Sequence, residues 1–334
     1  MSYTNKSEET KNLTIENDKD VVHIDDIPQN YPTAEIINLS NIFNPPETSA
    51  IIILNQEFDI TFKLFTKIWE NYKLKICADG GANRLFEFLT KEQNITTSID
   101  TVLVEKYLPN FIIGDLDSLK PEIADFYSRH KVKIIQQKTQ YSSDLTKSLH
   151  LCYTYFLSLS SKDDPLDQIF QGDRSNNYGV ELEKGIHTLF KKHMNQNNIF
   201  SRCQIVCING IGGRFDQTIQ SIHHLYDNYH CKNGELLFIT KADIIFSIAG
   251  HDDGGCFLQY DSTFFQNCGS CGILPIGKPT TINLTKGLKW DVVNWDTDIG
   301  TGGSVSTSNY FVNDCGIYIN CKDDLIMSIE YNWS

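Results

Sequence analysis

The sequence has no run of about 18 apolar residues, the length a helix needs to cross a bilayer, so no membrane-spanning helix is expected. Basic charge is also scarce. Lysine plus arginine (29) against aspartate plus glutamate (42) gives 29 − 42 = −13, and the pI is near 5.1. A surface of that sign repels nucleic-acid backbones and anionic lipids, so neither nucleic acid nor membrane is an expected partner. Any phosphate ligand must then be held by a metal ion, a few basic side chains or backbone amides. The opening stretch MSYTNKSEETKNLTIENDKD has neither the apolar core of a signal peptide nor the arginine-rich face of a transit peptide. Cys268 and Cys271 form a lone CxxC with no second pair and no nearby histidine, which argues against zinc. No internal repeat is visible.

What is present suits a folded chain of two ordinary domains. There are 334 residues, 40 % hydrophobic and 21 % charged, which excludes global disorder. Most of the ten cysteines lie in apolar runs, among them Cys77 in KICAD and Cys203 and Cys207 in CQIVCING. There they read as small buried hydrophobes in a reducing compartment, and a cytoplasmic location is expected.

Residues 1–30 carry seven acids against three lysines and no sustained apolar period, and read as a disordered or loosely ordered tail. Residues 31–235 read as an α/β domain. Short apolar runs, Ile51–Leu54, Leu74–Ala78, Asn110–Ile113, Val132–Ile135 and Gln204–Ile208, alternate with helical patterns. Leu145, Leu149, Cys152 and Phe156 mark one amphipathic helix; Ile219, Ile222, Leu225, Tyr226 and Tyr229 mark another. Pro121 after Ser118 suits the first turn of a third. Continuously apolar strands between helices imply a mostly parallel sheet covered on both faces. The polar, turn-rich stretch at about 160–200 reads as an insertion. Residues 236–334 hold short β-type segments in close succession (LLFIT, DIIFSIA, CGILPIG, TTINL, LKWDVV, SVSTS, GIYINC, DLIMSIE), and a C-terminal β-sandwich domain is expected.

The acids fall in an informative place. Asp79 follows the second strand in CADGGAN, Asp115 and Asp117 follow the third in IIGDLDS, and Asp216 follows the fifth in NGIGGRFDQ. The carboxyl ends of parallel strands line the ligand crevice. Clustered carboxylates there need a neutralising cation, and oxygen ligands with a substrate phosphate describe magnesium. Taken singly, Asp-x-Asp after a strand is ordinary turn chemistry, and Gly80-Gly81 and Gly212-Gly213 match neither a Walker A loop nor a GxGxxG fingerprint. In KTQYSSDLTKSLHL, Ser142 or Ser143 caps a helix that carries Asp144 and Lys147 at i and i+3. That spacing fits a surface ion pair, or a lysine facing phosphates while Asp144 joins the acids. Arg214 supplies a second cation. The inventory fits phosphate transfer.

DGGAN at 79–83, GDLDS at 114–118, TQYSSDLTK at 139–147 and GGRFDQ at 212–217 resemble, in that order, the thiamine pyrophosphokinase family. GLKWDV at 287–292 and SVSTSN at 304–309 are similar to that family's thiamine-binding β-domain, and the long insertion suits a fungal-type member. The resemblance implies transfer of the terminal pyrophosphoryl group of ATP to the hydroxyl of thiamine, with attack at the β-phosphorus and release of AMP. Carried over by motif, Asp79, Asp115, Asp117 and Asp144 form the Mg2+ and phosphate centre. Gln140 and Lys147 meet the triphosphate, Arg214, Asp216 and Gln217 form the second nucleotide loop, and Asp144 or Asp117 accepts the thiamine proton. Trp290 is the implied aromatic platform, with Ser306, Thr307, Ser308 and Asn309 on the pyrimidine edge. The family pattern also implies a homodimer with composite sites. Asp291 and DTDIGTGG at 296–303 lie next to the implied cation site, where they either favour the thiazolium or form a solvated loop. Two other readings compete. A thiamine or nucleotide sensor would bind without turnover. A DxD-type nucleotidyl- or glycosyltransferase would account for GDLDS but not for Trp290 or SVSTSN.

Overall fold

The computed structural model describes residues 12–17, 30–92, 102–160, 185–194, 203–230, 234–251 and 253–334. They form two compact units, one from residues 42–241 and one from residues 1–41 together with 242–334. Strands β1 (Leu13–Glu16) and β2 (Thr33–Asn38) come first in the chain and belong to the second unit.

The 42–241 unit runs β3 (Ser49–Ile53), α1 (Phe62–Asn71), β4 (Leu74–Ala78), α2 (Gly81–Glu92), α3 (Val102–Lys106), β5 (Phe111–Gly114), α4 (Pro121–Arg129) and β6 (Lys133–Gln136). It continues through α5 (Asp144–Ser160), α6 (Ile186–Met194), β7 (Cys203–Ile208), α7 (Phe215–His230) and β8 (Gly234–Ile239). Within this unit the strand order is β8-β7-β3-β4-β5-β6, every neighbouring pair parallel. Every residue of β3 and β7 is buried, as a sheet covered on both faces requires. The five expected apolar runs fall on β3, β4, β5, β6 and β7. From β3 the chain builds outward to β6, then returns to β7 on the other side. The topological switch point therefore lies between β3 and β7.

Local sequence explains the helices. Thr61 caps α1 by accepting from Leu64 N at 3.2 Å, and Leu64, Phe65, Ile68 and Trp69 form its buried stripe. Pro121 occupies the first turn of α4, with Lys120 rather than Ser118 at the N-cap. Leu145, Leu149, Cys152 and Phe156 are buried on α5 as expected. The stripe expected on α7 is shifted: Leu225 is buried as expected, but Ile219 is exposed, and Ser221 and His224 are buried beside Leu225. Among the described residues no helix is long and apolar enough to cross a membrane.

The other unit adds β9 (Asp243–Ile248), β10 (Gly255–Gln259), α8 (Ser262–Asn267), β11 (Cys268–Leu274), β12 (Thr280–Lys286), β13 (Trp290–Thr297), β14 (Ser306–Tyr310), β15 (Gly316–Cys321) and β16 (Leu325–Tyr331). One of its sheets is antiparallel in the order β14-β11-β16-β9. The other runs β1-β13-β12-β15-β10-β2, antiparallel except for β2 beside β10.

Three expectations about boundaries change. Residues 13–16, expected in the tail, form an edge strand on β13, and the remaining tail residues 1–11 and 18–29 lie outside the described residues. Residues 33–38, expected in the α/β domain, pair with β10. The LLFIT segment, expected in the β-domain, is β8 and completes the parallel sheet through its ladder to β7. Of the expected insertion, α6 is described; residues 161–184 and 195–202 lie outside the described residues.

Candidate active site

The carboxyl ends of β4 and β5 and the start of α5 bring Asp79, Asp115 and Asp144 together, with one carboxylate oxygen of each within 4.8 Å of the others. Glycine at position 114 makes this approach possible. A β-carbon there would lie 2.5 Å from Asp79 Cβ and 3.2 Å from Asp144 Oδ1. Gly114→Ala is therefore expected to push the acids apart and weaken divalent-cation binding by about tenfold, as read by titration with Mn2+ as a paramagnetic probe. Backbone strain marks the same edge: Asp79 and Leu116 adopt φ of 44° and 67°. A left-handed leucine is costly, and such strain is characteristic of functional loops.

Asp79 is buried. Its Oδ2 accepts from Ser118 N at 3.2 Å, while Oδ1 accepts no hydrogen bond among the described residues. Burial raises its pKa to about 6, with the charges of Asp144, Asp115 and Asp117 adding to the effect against the Ser118 hydrogen bond. Burial also raises the pKa of Asp144, although Lys147 Nζ bonds its Oδ1 at 3.0 Å. At Asp115 desolvation is outweighed by donors from Gln140 Nε2 (3.0 Å) and Asp117 N (3.3 Å) and by the Lys147 charge, so its pKa lies below the ordinary value. An orphaned buried oxygen amid an oxygen-only donor set fits a hard divalent cation.

Two clamps hold these loops. Asn83 on α2 donates to Ser118 O at 2.7 Å and accepts from Lys120 N at 3.1 Å, which pins the GDLDS loop. Ser143 caps α5 by accepting from Thr146 N at 3.2 Å, and His224 Nε2 of α7 lies 3.3 Å from Ser143 Oγ and 3.2 Å from Thr146 Oγ1. Burial and the neighbouring His223 push the His224 pKa down to about 4, so this contact is neutral near pH 7.

A cavity of about 860 Å3 opens beside the acids toward the switch point. Asp79, Asp115, Gln140, Asp144, Lys147, Arg214 and Gln217 line it. Two expected residues do not. Asp117 is exposed and accepts from Ser118 Oγ at 3.0 Å. Asp216 is taken up by Arg214, whose Nε lies 3.1 Å from Asp216 Oδ1, and the guanidinium lowers the carboxyl pKa. The acid that joins Asp79 and Asp115 is thus Asp144, as the motif resemblance implied, and neither Asp117 nor Asp216.

In the β unit a smaller cavity of about 210 Å3 is lined by Trp290, Trp295, Ser306, Thr307 and Asn309, among others. Ser308 is exposed and not among the lining residues. The Asn309 side chain is already engaged: its amide accepts from Trp290 N at 3.1 Å and donates to Trp290 O at 2.9 Å, fixing the tryptophan backbone. Asp291 is not part of a solvated loop. It is buried and accepts from Thr285 Oγ1, Gly287 N, Leu288 N and Asn17 Nδ2, organising the turn before β13. Asp298 likewise caps its own loop by accepting from Gly300 N at 2.7 Å and Thr301 N at 2.9 Å.

The family profile described as "Thiamin pyrophosphokinase, catalytic domain" matches residues 65–236. The profile "Thiamin pyrophosphokinase, vitamin B1 binding domain" matches residues 265–326. Thiamine pyrophosphokinase of Saccharomyces cerevisiae is 44 % identical over 306 residues, covering 88 % of this chain and 89 % of the relative. The chain belongs to the thiamin pyrophosphokinase family. The crystal structure of the yeast family member superposes with a TM-score of 0.83 at 40 % identity, covering 96 % of this chain and 97 % of that one. That of the Candida albicans protein gives 0.77 at 30 %, covering 97 % and 100 %. Among plant members, thiamine pyrophosphokinase 2 of Arabidopsis thaliana is 27 % identical over 84 % of this chain and 85 % of its own.

The family's catalytic match lies inside the 42–241 unit, and its vitamin B1 match lies inside the β unit. The comparisons bear out the motif resemblance, the α/β-then-β fold and the assignment as an enzyme of this family. Motif reading passed over Asn55, Gln56, Glu57, Asp59 and Arg84, all of which line the larger cavity. The signal was available: LNQEFD directly follows the first strand, so it lies on the same sheet edge as the acids. Trp295 was likewise available as a second tryptophan of β13.

Proposed function

We propose that this chain transfers the terminal pyrophosphoryl group of ATP to the hydroxyl of thiamine, forming thiamine diphosphate and AMP in a magnesium-dependent reaction. The observation that supports the metal most directly is Asp79 Oδ1, buried and unpartnered beside Asp115 and Asp144. Those three carboxylates would hold Mg2+, which when bound neutralises phosphate oxygens and polarises the transferred group.

Lys147, buried and aimed at Asp144, and Arg214 supply the chain's own positive charge to the triphosphate. Gln140 and Gln217 add amide donors. The nucleoside end fits the switch-point loops, where Asn55, Gln56 and Glu57 lie. A bond forms between the thiamine oxygen and the β-phosphorus, and the bond from that phosphorus to the α-bridging oxygen breaks and leaves AMP. The hydroxyl proton goes to a carboxylate. The two candidates are Asp144, which lines the cavity, and Asp117, which lies outside both the three-acid group and the cavity lining.

The smaller cavity fits one end of thiamine. Its volume of about 210 Å3 falls below the roughly 300–1,000 Å3 of pockets that enclose a whole small molecule. Lys289 Nζ sits 4.1 Å from the centroid of the Trp290 ring, and this cation disfavours the thiazolium there. The neutral aminopyrimidine is then the ring that enters, with Ser306 and Thr307 on its polar edge, while the hydroxyethyl arm stays outside. The chain acts as a homodimer with composite sites in the cytoplasm, with neither nucleic acid nor membrane as partner. The exposed apolar side chains Tyr141, Phe215 and Ile219, in segments that border the larger cavity, support a protein surface covering that region.

Product analysis with ATP, thiamine and magnesium tests the reaction. Equimolar AMP and thiamine diphosphate are expected. ADP with thiamine monophosphate would overturn the phosphorus attacked, and thiamine binding without product would favour a sensor.

A further inference from the structure

We infer that the N-terminal strand Leu13–Glu16 forms a wall of the thiamine subsite and that Thr14 is a specificity-determining residue there; the inference rests on the reaction proposed above. The strand pairs antiparallel with β13, Thr14 opposite Val292 and Glu16 opposite Trp290. Alternation along a strand puts Thr14 and Glu16 on one face and Leu13 and Ile15 on the other. Thr14 lines the 210 Å3 cavity together with Val292 and Trp290.

Both ends of the strand are fastened. Asn12 N donates to Asn294 O at 3.0 Å, and Asn12 Oδ1 accepts from Asp296 N at 2.8 Å. Asn17 N donates to Lys289 O at 2.7 Å, and its side chain donates to Leu288 O and to Asp291 Oδ2 at 2.5 and 2.7 Å. The register is therefore held by side chains as well as by the ladder.

Polar bookkeeping inside the cavity isolates Thr14. Five polar side chains line it: Thr14, Thr285, Ser306, Thr307 and Asn309. Thr285 Oγ1 donates to Asp291 Oδ1 and accepts from Val292 N, and the Asn309 amide is bound to the Trp290 backbone. Among the described residues, no hydrogen bond engages the side chains of Thr14, Ser306 or Thr307. Three hydroxyls are thus left for a ligand, and only one of them comes from outside the C-terminal 242–334 segment. A heterocycle with ring nitrogens and an exocyclic amine matches hydroxyls, which both donate and accept. All four residues of β1 are exposed, so the strand adds its wall from the sheet edge through the ladder and the Asn12 and Asn17 ties rather than through burial.

The test uses the full-length chain. Thr14→Val keeps the β-branched shape and removes the hydroxyl, and Thr14→Trp fills the cavity. The thiamine KM is expected to rise about tenfold in Thr14→Val and further in Thr14→Trp, with the ATP KM unchanged. Thiamine alone is expected to slow amide hydrogen exchange across residues 12–17 of the wild type. Thermal unfolding checks that each variant folds; because Thr14 is on an exposed edge, at least one is expected to do so. A thiamine KM within twofold of wild type in the folded variants, or exchange at 12–17 that ignores thiamine, would overturn the inference. A wild type that does not turn over thiamine would instead overturn the proposed function.

Discussion

Asp79→Asn is expected to lower turnover by about a thousandfold or more while making the metal-free protein more stable at pH 7.5. Asparagine has the same shape, tolerates the left-handed φ of 44° at this position, and still accepts from Ser118 N. What it lacks is the charge. The Asp79 carboxyl is raised to about 6 in the fold, above its unfolded value near 3.9. Between those values the folded state holds a proton that the unfolded state has released. Stability therefore falls as pH rises through that window, and the loss persists above it. The burden at pH 7.5 is on the order of 2 kcal/mol, and asparagine removes it. Calorimetry without metal should show the variant melting a few degrees higher than wild type at pH 7.5, with the gap closing near pH 4. Magnesium should raise the wild-type melting temperature at pH 7.5 and leave the variant unmoved. For the same reason the acid limb of wild-type activity should move to lower pH as magnesium rises. A variant that keeps a magnesium-dependent rise in melting temperature would remove Asp79 from the metal site.

Lys147→Met is expected to act on both stability and rate. Lys147 is 2 % exposed and its ammonium lies 3.0 Å from Asp144 Oδ1. Removing one partner of a fully buried pair costs about 3–5 kcal/mol, but the Asp144 side chain is 34 % exposed and solvent screens the charge left behind, so the loss falls to about 1–3 kcal/mol. Protonation of Asp144, whose pKa burial already raises, limits the loss further. Turnover should fall by about a hundredfold or more through loss of a cation facing the triphosphate. Pairing the change with Asp144→Asn should recover most of the stability and none of the activity. That non-additivity is the signature of a coupled pair, and denaturant unfolding of the two single variants and the double variant measures it. Equal, additive losses would show that the two side chains act independently. Lys147→Arg should not rescue fully, since a planar guanidinium does not present a compact point charge to Asp144 and the triphosphate as the ammonium does.

Most of the α/β unit was legible in the sequence because its signals are local. Runs such as IIIL and QIVCI are continuously apolar, so each announces a strand buried on both faces wherever it sits in the sheet. The acids at 79 and 115 follow such runs directly, and in a parallel sheet that alone assigns them to one edge. Lys147 at i+3 from Asp144 is likewise a local relation. Asp216 shows the limit. It follows β7 as expected, but its ion pair with Arg214 leaves it out of the cavity lining, and motif order does not reveal which acids meet in space.

The sequence by itself determined the family, the order of α/β and β regions, the strand ends that carry Asp79 and Asp115, and the cap and ion pair that open α5. Only the tertiary structure decided that Asp117 stands outside the acid group while Asp79, Asp115 and Asp144 meet, in a space that Gly114 leaves open. It alone decided that the side chains of Asn309 and Asp291 bond the backbone around β13. It alone decided that residues 13–16 and 33–38 form the two edges of a sheet whose other strands lie more than 200 residues later. The physical reason is common to all three. A four-residue strand such as LTIE is too short to bury a face of its own, so its place depends on a ladder to β13 that no local pattern encodes.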